Sequence, residues 1–224
     1  MPFVDFHTHH PKVQDDEIAI RSVMLEDFNQ LTDTELCTVG IHPWSTAINI
    51  DDEQIEKLDG IMEKTNVIGV GEVGLDKLKG GAIEIQEKIF NKQIDIAYKH
   101  GKPLIIHCVK AWDILLKVRN EKPEGTNWGI HGFNGNAMLA KQLTDAGFYI
   151  SVGSQLLNPK SKIAKSIATI PQGRLLFETD EADVRIKQIY DTASKIIGMP
   201  LSELKELVYN NYKNFFANKL PAAK

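Results

Sequence analysis

The chain has 224 residues, 42% hydrophobic and 25% charged, which is the make-up of an ordinary soluble globular protein with length enough for one large core. A formal net charge of −4 excludes a global attraction for nucleic acid, so any phosphate binding has to be local. No apolar run reaches membrane-spanning length, and the first residues carry an acid and histidines where a secretory leader needs basic then apolar residues; the expected setting is cytoplasmic, with no membrane partner. Cys37 and Cys108 both lie in apolar runs and read as reduced packing residues.

The opening stretch FVDFHTHH, residues 3–10, alternates as a short strand that runs into a loop, with His7 and His9 on one face. A second strand is expected over 17–25 and a third over 35–44, ending at His42 and Pro43, with no long helix between them. Helical spacing of Ile55, Leu58, Ile61 and Met62 predicts a helix over 51–64, capped by Asp51 or Asp52. The run NVIGVGEVGLD, 66–76, reads as a buried strand. An amphipathic helix then spans 83–100 and stops at Gly101 and Pro103. The alternation continues with a strand over 103–109, a helix over 112–119, a strand over 127–133 and a helix over 137–146. Strand FYISVG, a helix over 160–170, strand RLLFETD and a helical tail over 184–218 complete the chain. Strands separated by helices of this length imply parallel β/α units. Eight candidate strands are the number that closes a (β/α)8 barrel, although periodicity alone leaves an open doubly wound sheet as the alternative. With no linker or repeat, residues 1–224 are expected to form one domain.

Chemistry-bearing residues gather at the predicted strand ends. His7, His9, His42, His107 and His131 sit at or just past them, joined by Glu72 in GVGEVG and Asp180 in FETD. Each has a plain structural reading, such as a hydrogen-bonded core histidine or a helix-capping carboxylate. Together they are poorly explained by independent accidents, because in a parallel barrel these ends open on one rim and buried ionisable groups need partners. Imidazole and carboxylate donors without thiolates suit zinc, manganese, iron or magnesium rather than a structural zinc cage. Four of the histidines with the two carboxylates make six ligands, more than one catalytic zinc uses. Two divalent ions about 3.5 to 4 Å apart, bridged by a carboxylate, would use them all, with Glu72 as the expected bridge.

In this order the motifs resemble the TatD family of metal-dependent deoxyribonucleases, within the amidohydrolase-like barrel superfamily. The likeness rests on DFHTH, GIHPW, GEVGLD, IQEKIFNKQIDIAYKHGKPLIIH, HGFNG, FETD and NYKNFF, which run nearly end to end. It implies a TIM-type (β/α)8 barrel, slightly reduced, because the chain between its first and third strands is shorter than in the family and the first crossover should lack its helix. It implies that His7, His9, Glu72 and Asp180 hold one metal ion, and that Glu72, His107 and His131 hold the second. His42 would contact the substrate phosphate, and Asp180 would also orient or deprotonate the attacking water. Asp5 is expected to support the first strand.

The chain departs from the family at two places. Val109 and Lys110 stand where an Arg-Asp pair usually follows the fifth-strand histidine, which removes a bidentate phosphate donor. Glu181, Ala182 and Asp183 replace an Ala-Pro turn and basic loop, and two acids there repel a polyanion. The expected activity is hydrolysis of a phosphodiester, foremost DNA, by a metal-activated hydroxide. The alternatives are hydrolysis of a small phosphoester, carboxylic ester, lactone or amide, and a non-catalytic metal-binding or interaction protein. No obligate protein partner is indicated.

Overall fold

In the computed structural model, which describes residues 1–11, 14–30, 32, 34–48, 50–122 and 124–217, strands and helices alternate as their spacing predicts. The strands are β1 Phe3–Thr8, β2 Glu17–Met24, β3 Cys37–Gly40, β4 Val67–Asp76, β5 Leu104–Val109, β6 Trp128–Ile130, β7 Tyr149–Val152 and β8 Leu175–Phe177. They form one eight-stranded sheet in sequence order. Every register described is parallel. A parallel bridge between Thr8 and Asp180 ties the chain just past β8 to the end of β1, so the fold is a (β/α)8 barrel of the TIM type. β1 and β4 are buried at every position, as strands covered on both faces must be.

The helices are α1 Asp52–Ile61, α2 Ile83–His100, α3 Trp112–Glu121, α4 Ala137–Asp145, α5 Lys162–Ser166, α6 Ile186–Ile197 and α7 Leu201–Phe216. Asp51 begins α1 with a reciprocal cap: its carboxylate accepts from the Gln54 amide at 3.0 Å while the Gln54 side chain accepts from the Asp51 amide at 3.2 Å. Gly101, at φ 58°, ends α2. Among the described residues no helix joins β1 to β2, and β2 leads to β3 through a 3-10 turn, Leu25–Gln30, so the first crossover is shortened as expected.

Two helical expectations change in detail. The helix expected over 160–170 is the short α5 followed by a 3-10 turn at Ile167–Thr169. The tail expected as one helix is two, because Gly198 turns left-handed at φ 74° and Pro200 cannot donate to a continuing helix. The expected end of that tail, Asn218, lies outside the described residues.

The chain forms two compact units. One contains Met1–Arg21 and Gly129–Phe215, the other Ser22–Trp128 with Phe216 and Ala217. In the first, Phe6 and Tyr149 meet the Phe215 ring at centroid distances of 4.9 and 5.2 Å. The buried Tyr190 hydroxyl of α6 donates to the Val4 carbonyl and accepts from its amide, both at 3.1 Å, which locks α6 onto β1. In the second unit, Gln93 of α2 accepts from the Ile41 amide at 2.7 Å and donates to its carbonyl at 3.0 Å, gripping the backbone just past β3. Gln86 grips β4 in the same way, through the amide and carbonyl of Asp76 at 2.7 and 2.9 Å. Gly74 shows why β4 carries glycine: at φ 132° a Cβ there would lie 2.1 Å from the His107 carbonyl oxygen.

Candidate metal centre

The first unit brings four of the expected residues together. His7 lies on β1 and His9 just past it, His131 follows β6, and Asp180 follows β8. Asp180 takes the left-handed backbone region at φ 57°, a sparsely populated conformation for a non-glycine residue. It is held there by β1: its amide donates to the His7 carbonyl at 3.0 Å, and its carbonyl accepts from the His9 amide at 3.2 Å. The carboxylate then lies 3.6 Å from His7 Nε2 and 3.5 Å from His9 Nε2, with 38% of its side chain exposed. The His7 and His131 rings stand 4.4 Å apart. One donor atom from each of His7, His131 and Asp180 falls within 4.8 Å of the other two.

Two buried carboxylates back this group. Asp5 accepts from the Thr179 amide at 2.9 Å and from its hydroxyl at 2.6 Å, which fixes the residue before Asp180. Asp5 thereby supports more than the first strand. Burial, only partly offset by the Thr179 bonds, pushes its carboxyl up to about 7. Glu178 is fully buried; its carboxylate accepts from the Gly132 amide and lies 3.8 Å from His131 Nδ1. Burial raises it to about 8 against the opposing pull of His131.

The second unit assembles His42, Glu72 and His107, again with donor atoms within 4.8 Å of one another. Glu72 Oε1 lies 3.1 Å from His42 Nε2 and 3.0 Å from His107 Nδ1. The Trp44 amide donates to His42 Nδ1 at 3.2 Å, so the His42 proton sits on Nε2 and donates to Glu72. Asp76 faces the other side of His107, at 3.3 Å from Nε2. Burial works to raise the Asp76 carboxyl, but bonds from the Trp44 indole at 2.6 Å, the Leu78 amide at 2.7 Å and His107 outweigh it and hold the group below the usual carboxylate range. Asp76 stays ionised and keeps the His107 ring oriented.

The donor sets of both groups, imidazole nitrogen and carboxylate oxygen without thiolate, fit a divalent ion. Cys37 and Cys108 are buried, reduced cysteines, and burial pushes Cys108 up to about 12, which keeps it protonated. His42, expected at the substrate phosphate, is buried against Glu72 in this conformation. Sequence reasoning assigned no role to Asp76, Glu178, Gln86 or Gln93, although GEVGLD, FETD and the α2 motif contain them. Their signal was membership of those motifs; what they touch emerges only in the fold.

The family model for TatD-related DNases matches residues 17–217. The chain is 28% identical over 194 residues to an uncharacterized metal-dependent hydrolase, YabD, of Bacillus subtilis, covering 83% of this chain and 74% of the relative. It is 29% identical over 154 residues to a protein of Klebsiella pneumoniae named as a 3'-5' ssDNA/RNA exonuclease, covering 64% and 56% of the two chains. The crystal structure of a TatD homologue from Escherichia coli, YjjV, superposes over 98% of both chains with a TM-score of 0.83 at 23% identity, a likeness of fold. With the family model spanning nearly the whole chain and the histidines and carboxylates gathered as described, this protein belongs to the TatD-related DNase family of metal-dependent hydrolases.

Proposed function

We propose that the protein hydrolyses phosphodiesters, with single-stranded nucleic acid as the leading substrate, and that it uses two divalent ions. His7, His9, His131 and Asp180 hold one ion, and Glu72 with His107 supplies the other. Zinc, manganese, iron or magnesium fits these donors. Such ions, when bound, supply Lewis-acid polarisation of the phosphoryl oxygen and lower the pKa of a nearby water. The chain's own contribution is positional. Asp180 accepts the proton of the attacking water as the phosphorus–oxygen bond to the leaving group breaks. His42 Nε2–H is the donor for a phosphate oxygen once that proton turns from Glu72. Asp76 and Glu178 keep His107 and His131 from rotating.

The observation that carries this reading is Asp180. A half-exposed carboxylate in a left-handed backbone conformation, 3.5 to 3.6 Å from two imidazole nitrogens, is held as a ligand and base would be. The relative named as an exonuclease supports the polymer class. The exposed acids Glu181 and Asp183 and the apolar Val109 favour a second reading, hydrolysis of a small phosphoester or other ester.

Asp180→Asn tests the assignment. The amide keeps the shape and a carbonyl oxygen but has no charge with which to take a proton, and general-base help is commonly worth about 10²- to 10⁴-fold. Turnover of a small phosphodiester in manganese should fall by at least that factor while the fold, read by circular dichroism, stays intact. Near wild-type turnover with full metal content would remove Asp180 from both roles.

A further inference from the structure

Trp44 is one of the few large apolar side chains left exposed, at 42%, yet its ring is fixed: the indole N–H is committed to Asp76 at 2.6 Å. The ring stands edge-on to His42 and His107 at centroid distances of 4.7 and 5.8 Å. An aromatic surface pre-oriented beside two histidines of the candidate centre loses little freedom when a flat ligand stacks on it. Beside Trp44 opens a cavity of about 310 Å³, walled by Ile41, Ala47, Ile48 and Ile50, with the polar groups of Glu26 and Gln54 on its lining. Lys79 Nζ, from the turn after β4, sits over one face of the Trp44 ring, 4.0 Å from its centroid, which leaves the opposite face as the one on which a flat ligand would stack. That turn is built onto the Trp44 segment: the Gly81 amide donates to Thr46 Oγ1 at 3.1 Å, and both the Leu78 and Lys79 amides donate to Asp76 Oδ1.

A fixed indole face, an apolar slot with hydrogen-bonding groups and an adjacent cation match one chemistry: a heteroaromatic base joined to a phosphate. We propose that Trp44 and the cavity beside it bind one nucleobase of a single-stranded nucleic acid, and that Lys79 supplies positive charge for the adjoining phosphate. This rests on the phosphodiesterase reading and names a specificity-determining subsite for it. A duplex cannot use the subsite without unstacking a base, so the subsite selects for single strands.

The test separates base recognition from catalysis. The metal-free protein in chelator is titrated against a fluorescently labelled single-stranded octanucleotide and against an abasic octanucleotide of the same backbone. Wild type should bind the base-bearing strand roughly 5- to 100-fold more tightly, the range that stacking of one base supplies. Trp44→Ala should erase the difference. Because Trp44 also holds Asp76, Ile48→Asp is the second variant; Ile48 is 67% exposed, and the change puts a carboxylate into the slot while leaving the indole bond in place. It should erase the difference as well. Equal binding of the two strands by wild type, or full retention of the preference in Ile48→Asp, overturns the subsite. Hydrolysis of a small phosphodiester by metal-loaded wild type is measured in parallel. Hydrolysis with equal strand binding would keep the hydrolase and remove the subsite, whereas base-dependent binding without hydrolysis would do the reverse.

Discussion

Three buried carboxylates, Asp5, Asp76 and Glu178, meet different fates because both their desolvation and their partners differ. Asp76 receives an indole, two backbone amides and an imidazole, enough to outweigh burial and keep it charged. Asp5 and Glu178 receive fewer donors, and burial wins, raising them to about 7 and about 8. The stability consequence for Glu178 has a definite sign. Its folded-state value lies above the ordinary 4.5, so between pH 4.5 and 8 the folded protein holds a proton that the unfolded chain releases, and stability falls as pH rises through that window. Glu178→Gln removes this titration while keeping an acceptor for the Gly132 amide. In chelator, the variant should gain on wild type between pH 5 and pH 8 by on the order of 1–3 kcal/mol. Thermal melts of both proteins at the two pH values decide it, and parallel pH dependences would show that Glu178 does not titrate in this window.

At the scale of elements, α2 is the part that shapes the second unit. Its apolar face is an ordinary amphipathic stripe, but Gln86 and Gln93 are buried in it and spend their amides on the backbone at the end of β4 and just past β3. Those two grips set the positions from which Asp76 and His42 emerge, so a helix on the outside of the barrel controls residues of the centre. Gln93→Leu preserves bulk and leaves both polar groups of Ile41 without their partner. It should destabilise the protein by about 1–3 kcal/mol for each buried group left unpaired. Urea unfolding measures this, and a loss below about 0.5 kcal/mol would mean that water or a shifted backbone replaces the grip. The shortened first crossover is the complementary case. Among the described residues no helix lies between β1 and β2.

For the molecule as a whole, charge decides how a polymer substrate is met. The net charge is −4, and Glu181 and Asp183 stand exposed next to Asp180, so long-range attraction of a polyanion is absent and binding has to come from local cations and bound ions. Cleavage of long duplex DNA should be weak and should fall steeply as salt rises, because each neutralised phosphate contributes to the salt slope. Rates on duplex and single-stranded substrates across a salt series test this. Rapid, salt-tolerant cleavage of duplex would mean that a local cationic surface captures it despite the net charge.

The order of strands and helices, the shortened crossover and the gathering of histidines and acids at strand ends were all legible in the sequence, since period-two and helical spacing, glycine stops and motif order are local properties. His7, His9, His107, His131 and Asp180 announced themselves as ionisable groups near the ends of apolar runs, and Glu72 as an acid inside one, where a buried charge demands a partner. The break at Gly198 and Pro200 was written in the chain too, but the helical periodicity on both sides masked it. What only the tertiary structure decided is which atom meets which. The left-handed turn at Asp180 comes from bonds to β1, more than 170 residues away in sequence. The ionised state of Asp76 comes from an indole 32 positions earlier, and the raised carboxyl of Glu178 from burial that no sequence window reports. A protonation state is set by everything packed around a group, and that packing is a long-range property of the folded chain.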